Sequence, residues 1–517
     1  MRAGEQVAVN GASQVEAPPR SLKLARNTLH LFAGQMGTMV LGILLSAALG
    51  RLLGVKDFGL YFLANSFAAF TIVLVDWGQS YITIREVARA PEQAGHLLGT
   101  GLALRAAGMF AAGVPATLAA WALGYDLRTR WFTVAFLLAS LPFFLAQNFG
   151  VVFRGRDRMD LDAAVGVTNR AVGLVLAIVA LKLGFGLGGV MGALGAGGAA
   201  ALVLAWWFYG RVDLVGPLRF STSTARLIFR EGTPLLMMTI AVYVQPYIDA
   251  VVLSKMVTRE AIGWYGAAKS IQGTLMAPAL ILGSAAFTPL SRVAREPEHF
   301  REQFAIIQRP MLWLAGLGCV GTWLYASTAI SVVYGGRNYQ PAGIILQIFA
   351  LGLFLLFIDM LMAVSLTALS RSKAVASAKI ASVAFGLALE LLLVPYFQWR
   401  TGNGGIGVTV ALVVSELVMC LGCAFLLPRG VLGPKVLADG GRAVVCAVGT
   451  GVFFHFLPPL TPWLGIPLCI VVFALLSVAT GMVHRGDLGL LRALLRRTPG
   501  GAPATAPVSD GIAPHPD

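Results

Sequence analysis

The sequence predicts an all-α protein that crosses a membrane many times, and three observations support this. The chain has 517 residues, of which 57% are hydrophobic and 12% charged. That composition excludes a disordered chain and an ordinary soluble domain. About fourteen apolar runs are long enough to cross a bilayer as helices. Links that are rich in Lys and Arg alternate along the chain with links that are poor in them, as in multi-pass membrane proteins.

Each predicted span is an apolar run bounded by short polar links. The eighth and tenth runs are long enough for tilted or broken helices. In order, the runs are Leu31–Leu49, Phe58–Trp77, His96–Leu123, Trp131–Phe153, Ala163–Leu183, Leu187–Tyr209, Pro234–Met256, Ile262–Leu290, Met311–Val333, Ala342–Leu369, Val375–Phe397, Gly405–Leu427, Gly441–Leu457 and Leu464–Val483.

The distribution of basic residues predicts the orientation. About three times as many Lys and Arg residues lie on one side of the threaded chain as on the other, which places both termini in the cytoplasm. The basic clusters 154–158 and 292–309 fall on the cytoplasmic side, where they set topology and could steer an anionic lipid headgroup. The net charge of +15 is thus explained without a nucleic-acid partner.

A short hairpin pattern occurs twice, 204 positions apart. An internal repeat in a multi-pass protein is typical of transporters built from two lobes. The recurring residues are Arg51 as Lys255, Gly59 as Gly263, Tyr61 as Tyr265, Ala64 as Ala268 and Ser66 as Ser270.

The repeat predicts two pseudo-symmetric six-helix lobes followed by two extra helices. The predicted segments are a flexible cytoplasmic tail (1–26), an N-lobe (27–210), a cytoplasmic linker (211–233), a C-lobe (234–428), helices 13 and 14 (429–484) and a disordered cytoplasmic tail (485–517).

Ionisable residues inside the predicted spans are the candidates for function, because charges there are costly and usually face a bundle interior. Asp249 and Lys269 lie at similar depth, roughly 10 Å inside the boundary, on neighbouring helices. They form either a structural ion pair or part of a binding or gating site. The other candidates are Asp76, Asp359, Glu390, Glu416 and His455.

Patterns for covalent, redox or metal chemistry are weak. The glycine-rich stretch 184–189 matches a dinucleotide motif but lies between two spans instead of after a strand. Cys420 and Cys423 have helical spacing inside a span, with no second pair. We therefore expect no catalytic residues, no cofactor and no metal site, and a protein that is not an enzyme.

Several short motifs follow one another along the chain. They are Arg51–Gly54, Asp57–Tyr61, Asp76–Gly78, Asp249, Gly263–Lys269, Pro289–Ser291, Gly404–Gly407 and Ser415–Glu416. Together these motifs resemble the polysaccharide (O-antigen type) flippases of the multidrug/oligosaccharidyl-lipid/polysaccharide flippase superfamily. The resemblance covers roughly residues 26–427.

This resemblance implies two six-helix lobes around a central cavity. It also implies translocation, by alternating access, of a polyprenyl-diphosphate-linked oligosaccharide across the inner membrane, for a cell-surface polysaccharide such as the O-antigen of lipopolysaccharide. The partners would be that lipid, the membrane lipids and a coupling ion, H⁺ or Na⁺. We expect Arg51 and Lys269 to reach the cavity, and Asp249, Asp359, Glu390 and Glu416 to contribute to binding or gating.

Two other functions remain open at this point. A multidrug cation antiporter of the same superfamily would need a cavity dominated by acids, whereas Arg51 and Lys269 accompany the acids here. A membrane-embedded glycosyl-transfer enzyme would need a sizeable extracytoplasmic loop, and every predicted link is short.

Overall fold

The computed structural model describes residues 20–211, 218–243, 245–458 and 460–483. Within these ranges the chain forms α-helices and two short 3₁₀ helices and no strand, which confirms the all-α prediction. The predicted tails, 1–26 and 485–517, lie outside the described residues, apart from residues 20–26, which belong to the first helix.

Sixteen α-helices follow one another in the described residues. The 3₁₀ helices are Pro91–Gln93 and Arg337–Tyr339. The α-helices are α1 Arg20–Asp76, α2 Gln79–Arg89, α3 Ala94–Ala122, α4 Leu127–Gly155, α5 Met159–Lys182, α6 Gly186–Arg211, α7 Thr222–Tyr243, α8 Gln245–Met256, α9 Arg259–Leu275, α10 Ala277–Arg292, α11 Pro297–Tyr334, α12 Pro341–Ala368, α13 Ser372–Thr401, α14 Gly405–Leu426, α15 Pro434–His455 and α16 Pro462–Ala479.

These helices account for fourteen spans. Twelve helical stretches in the described residues are long and apolar enough to cross a membrane. One of them, α1, contains two spans, because Gly54 folds it back with φ of 78°, a conformation that glycine adopts readily. A further span consists of α7 and α8. Its first helix begins at Thr222, inside the stretch 211–233 that the sequence assigns to the linker.

The spans form two lobes. Helices α1–α6 pack mainly on one another, as do α7–α14, and α15 and α16 pack against α11. We call the side of the bundle that holds residues 54–57, 123–128, 255–260 and 335–340 the closed end, and the opposite side, which holds α2, the α2 end. At the closed end α1 packs against α8, α9 and α11 of the second lobe.

Equivalent residues of the repeat meet where α1 crosses α9. A Cβ atom on Gly59 would collide with the backbone of Arg259 and Gly263, and one on Gly263 would collide with the backbone of Val55. Val55 and Arg259 are themselves 204 positions apart. The crossing therefore lies on a pseudo-two-fold axis that relates the two hairpins, and only glycine allows the backbones to come so close.

The lobes meet differently at the α2 end. There, in the described residues, only α7 of the second lobe packs extensively on the first lobe, against α1, α2 and α3. Arg85 Nη2 donates to Glu231 Oε2 at 2.5 Å, and Trp77 Nε1 donates to Thr233 Oγ1 at 3.1 Å. The other second-lobe helices stand apart from the first lobe on this side.

We expect Gly263→Ala to weaken the packing of the two lobes. The added methyl group meets the backbone of Val55, and overpacking of this kind costs about 1–3 kcal/mol. The matched control is Gly273→Ala in the same helix, where an added Cβ meets nothing within 4 Å. Thermal unfolding in detergent should give a lower midpoint for Gly263→Ala only. Equal midpoints for both variants would contradict the crossing.

Candidate functional site

A set of buried ionisable side chains lies inside the second lobe. Asp249 on α8 and Glu390 on α13 are fully buried, and Lys269 on α9 is half-buried. Asp249 interacts electrostatically with Lys269, Glu390 and Lys379. The Lys269 ammonium also lies 5.1 Å from the centre of the Phe349 ring. Asp249 and Lys269 are thus neighbours, within a larger cluster and not as an isolated pair.

The cluster continues towards α12 and α14. Lys379 Nζ donates to Glu416 Oε1 at 3.1 Å, and both side chains are largely buried. Asp359 on α12 is 8% exposed and interacts electrostatically with Glu416 and Lys379. Six residues were expected to reach the cavity or to contribute to binding or gating, and five of them lie together in the second lobe, with Lys379 as an additional member.

Two carboxyl groups in this cluster lack hydrogen-bond donors. No other side chain or backbone N–H of the described residues donates to an oxygen of Asp249 or Glu390, and these two carboxyl groups lie within hydrogen-bonding reach of each other. Leaving a buried acceptor unpaired is costly, and more so for a charged one. Groups of this kind are suited to take up and release a proton or a small cation.

The sixth candidate, Arg51, lies at the closed end, apart from the cluster. Its Nε donates to the Val333 carbonyl oxygen at 2.9 Å, at the carboxyl end of α11, and its side chain is exposed. His455 is also exposed, as the last residue of α15. The position of a residue along a predicted span did not show that the side chains of Arg51 and His455 are exposed.

Asp76, the last residue of α1, belongs to a polar group that fixes α2 to α1 and α3. Arg105 on α3 is 1% exposed, and its Nη2 donates to Asp76 Oδ1 at 2.6 Å and to Ser80 Oγ at 2.9 Å. Its Nη1 donates to the Phe144 carbonyl oxygen at 2.8 Å, and the guanidinium lies over the Phe144 ring. The contacts of Asp76 are those of a structural residue.

A polar cavity of about 440 Å³ opens within the first lobe, between α1, α2, α4 and α5 near the α2 end. Gln35, Gln147, Arg154, Asp162 and Arg170 are among its lining residues. Arg154 Nε lies 3.3 Å from Asp162 Oδ2. Arg170 is paired with no carboxylate in the described part of the chain, so the cavity presents an unneutralised cation.

Sequence reasoning did not single out this cavity. Arg154 belongs to the cluster 154–158, which is typical of a topology signal, whereas Arg170 lies inside the fifth span, near the middle of the helix Met159–Lys182. The spacing of Asp162 and Arg170 could have indicated the cavity. The two residues lie about two helical turns apart on α5 and therefore share a face of that helix.

A second polar cleft, of about 420 Å³, lies between the lobes at the closed end. Arg259 Nη2 approaches Asp126 Oδ1 at 2.7 Å across it. Partial burial acts to raise the pKa of the Asp126 carboxyl, but hydrogen bonds from Thr129 and Arg259 outweigh it and hold that pKa below its ordinary value. Lys56 and Glu260, again 204 positions apart, approach to 3.0 Å.

Metal and thiol chemistry find no support in the described residues. They contain no group of three or more His, Cys, Asp and Glu side chains that could hold a metal ion. Cys420 and Cys423 are free and buried. The cluster in the second lobe mixes lysines with its acids.

Comparison with solved structures supports the fold. The structure is similar to the lipid II flippase MurJ in an inward closed conformation, with a TM-score of 0.69, 14% identity, and coverage of 90% of this chain and 99% of that chain. It is similar to an inward-facing MATE multidrug resistance transporter of the MOP superfamily, with a TM-score of 0.58, 17% identity, and coverage of 76% and 93%.

A third similar structure is a MOP superfamily transporter from Pyrococcus furiosus whose binding pocket has reverse polarity. Its TM-score is 0.54, its identity 15%, and the coverage is 78% of this chain and 94% of that chain. At such identities the likeness establishes the fold alone.

Comparison of sequences gives the family. No curated protein matches the chain. Residues 24–292 match a family described as polysaccharide biosynthesis protein. This segment is more than half of the chain, and it contains the first lobe and both copies of the repeated hairpin. The chain therefore belongs to the polysaccharide biosynthesis protein family.

Proposed function

We propose that this protein flips a polyprenyl-diphosphate-linked oligosaccharide across the cytoplasmic membrane, with the α2 end and both termini in the cytoplasm. The observation that carries the proposal is the first-lobe cavity with Arg154 and Arg170, in a chain of the polysaccharide biosynthesis protein family. The proposed glycan belongs to a cell-surface polysaccharide of the O-antigen type.

The chemistry of the substrate requires such a cavity. A diphosphate must cross about 30 Å of hydrocarbon, which strongly disfavours its charge. Arginine is well suited to phosphate, because its planar guanidinium donates two parallel hydrogen bonds. Gln35 and Gln147 line the same cavity and offer neutral donors for phosphate or sugar oxygens. The lipid tail can stay in the bilayer throughout.

The arrangement of the lobes supports alternating access. The described residues pack the lobes together at the closed end, whereas at the α2 end only α7 joins them. A substrate would thus enter from the α2 end and leave after the closed end has opened. Rigid-body motion of two packed units about a shared contact is a common form of such a switch.

The second-lobe cluster is our proposed site for the coupling ion. Asp249 and Glu390 are buried carboxyl groups without donors, and Lys269 and Lys379 lie close enough to respond to a change in their charge. Binding of a proton or Na⁺ there would change the charge balance among α8, α9 and α13. An ion gradient could then drive the alternate opening of the two ends of the bundle.

A multidrug cation antiporter is the second candidate, and one observation favours it. The second lobe buries four acids, Asp249, Asp359, Glu390 and Glu416, against two lysines, which is an environment suited to organic cations. The first-lobe cavity favours an anion instead. The two functions can therefore be separated by measuring whether the protein transports an anionic lipid or the cation ethidium.

We expect Arg170→Gln to weaken binding and flipping of a polyprenyl-diphosphate-linked oligosaccharide about tenfold, because a charged hydrogen bond to the diphosphate is lost. Flipping can be measured in proteoliposomes with a fluorescent lipid-linked sugar. Arg156→Gln is the matched control, since this arginine lies close to Arg154 in sequence but outside the lining of the cavity.

The flippase proposal requires that the Arg156→Gln protein flip at the wild-type rate and that both variants fold equally well. Equal flipping by the Arg170→Gln and wild-type proteins would contradict it. If the wild-type protein flips no lipid-linked sugar, and both it and the Arg170→Gln variant transport ethidium, the antiporter is established instead.

We expect Glu390→Gln to abolish the acceleration of flipping by an imposed H⁺ or Na⁺ gradient while equilibrium exchange of the lipid continues. The amide has the shape of the carboxyl group but carries no negative charge, so it can neither take up a proton nor neutralise Na⁺. Glu302→Gln, at an exposed position on α11, is the control. Gradient-driven flipping that survives in Glu390→Gln would remove this residue from the coupling site.

A further inference from the structure

Arg51 and Lys255 hold equivalent positions in the repeat, and each reaches into the opposite lobe. Arg51 of the first lobe donates through Nε to the Val333 carbonyl oxygen at 2.9 Å, and its guanidinium also bonds the Val332 carbonyl oxygen. Lys255 of the second lobe donates through Nζ to the Leu123 carbonyl oxygen. All three acceptors lie at the closed end.

The acceptors are equivalent as well. Val332 and Val333 belong to the last turn of α11, the third span of the second lobe, and Leu123 caps α3, the third span of the first. The last carbonyl groups of a helix have no partner within it and carry the negative end of the helix dipole. Each cation therefore binds a helix end that attracts positive charge and belongs to the other lobe.

A tyrosine of the opposite lobe binds the residue just before each cation. The Tyr339 hydroxyl donates to the Gly50 carbonyl oxygen at 3.1 Å, and the Tyr125 hydroxyl bonds the Ser254 hydroxyl. Gly50 and Ser254 are again 204 positions apart. Burial raises the pKa of both phenols, which keeps each hydroxyl protonated and able to donate. The Lys255 ammonium also lies 3.4 Å from the centre of the Tyr125 ring.

From this reciprocal arrangement we propose that Arg51 and Lys255 are paired latches, each binding a helix end of the opposite lobe, and that both must release before the closed end can open. This inference rests on the proposed alternating access, but on no particular substrate. It assigns Arg51 to gating and adds Lys255, which the sequence did not single out for this role.

The strength of the latches suits a gate. Both side chains are exposed, so solvent screens them, and each contact stabilises the closed state only modestly. Two weak bonds that share no side chain can break in one movement, whereas one strong buried pair would resist opening. Their contributions should multiply, because the same opening step breaks both.

The test measures opening at the closed end without substrate. Leu63 on α1 is 3% exposed and lines the cleft between the lobes at that end. A Leu63→Cys protein in proteoliposomes is labelled with a membrane-impermeant maleimide, under conditions in which opening is fast relative to labelling. The protein without this cysteine corrects for the native thiols. We expect roughly threefold faster labelling with either Arg51→Ala or Lys255→Ala, and roughly tenfold with both.

Arg337→Ala is the matched control, because Arg337 is an exposed cation of the same end and its side chain makes no hydrogen bond or ion pair with a described residue. It should leave labelling unchanged, and Arg51→Lys with Lys255→Arg should restore the slow rate. Labelling of the double variant no faster than that of Arg337→Ala would overturn the proposal, as would an effect at one position alone. Flipping is not measured, so failure here leaves the substrate assignment standing.

Discussion

The close contact between the backbones of α1 and α9 is the constraint on which the rest of the structure depends. Gly59 and Gly263 leave no room for a side chain on either helix. The two hairpins therefore approach until the pairs related by the repeat, such as Lys56 and Glu260, face one another. Everything at the closed end follows from that distance, including the reach of Arg51 and Lys255 to the opposite lobe.

Charge is divided between the lobes in a way that suits two ligands of opposite sign. The first lobe buries Arg105 against Asp76 and leaves Arg170 unpaired beside a polar cavity. The second lobe leaves the carboxyl groups of Asp249 and Glu390 without donors. In a low-dielectric interior such groups interact over longer distances than in water. A change of charge in one lobe can thus bias the position of the other.

The sequence predicted the spans and the two lobes, because apolar length and repeat spacing are properties of the chain itself. It also indicated that Asp249 and Lys269 are neighbours, since two residues equally far from a turn lie at equal depth. It did not place Arg51, because depth does not give the direction of a side chain. At the end of a span, the direction of the side chain determines whether it reaches a cavity or binds a helix end of the opposite lobe.

The Arg154–Arg170 cavity escaped sequence analysis for a different reason. Basic residues at span ends serve topology in most membrane proteins, so Arg154 carries little information until its neighbours are known. Arg170 lies near the middle of α5, and the sequence does not show that it faces a polar cavity. Lys379 likewise lies close to a span end, yet its ammonium reaches Glu416 inside the lobe. Long basic side chains can extend several ångströms from their backbone position, which a hydropathy pattern does not record.

The central claim is that the lobes open alternately at the two ends in response to an anionic lipid. Distances between spin labels test it most directly, with one pair at residues 127 and 399 for the closed end and another at residues 206 and 425 for the α2 end, all exposed positions. Adding a polyprenyl-diphosphate-linked sugar should lengthen the first distance and shorten the second. If the sugar leaves both distances unchanged, or lengthens both, the account is contradicted.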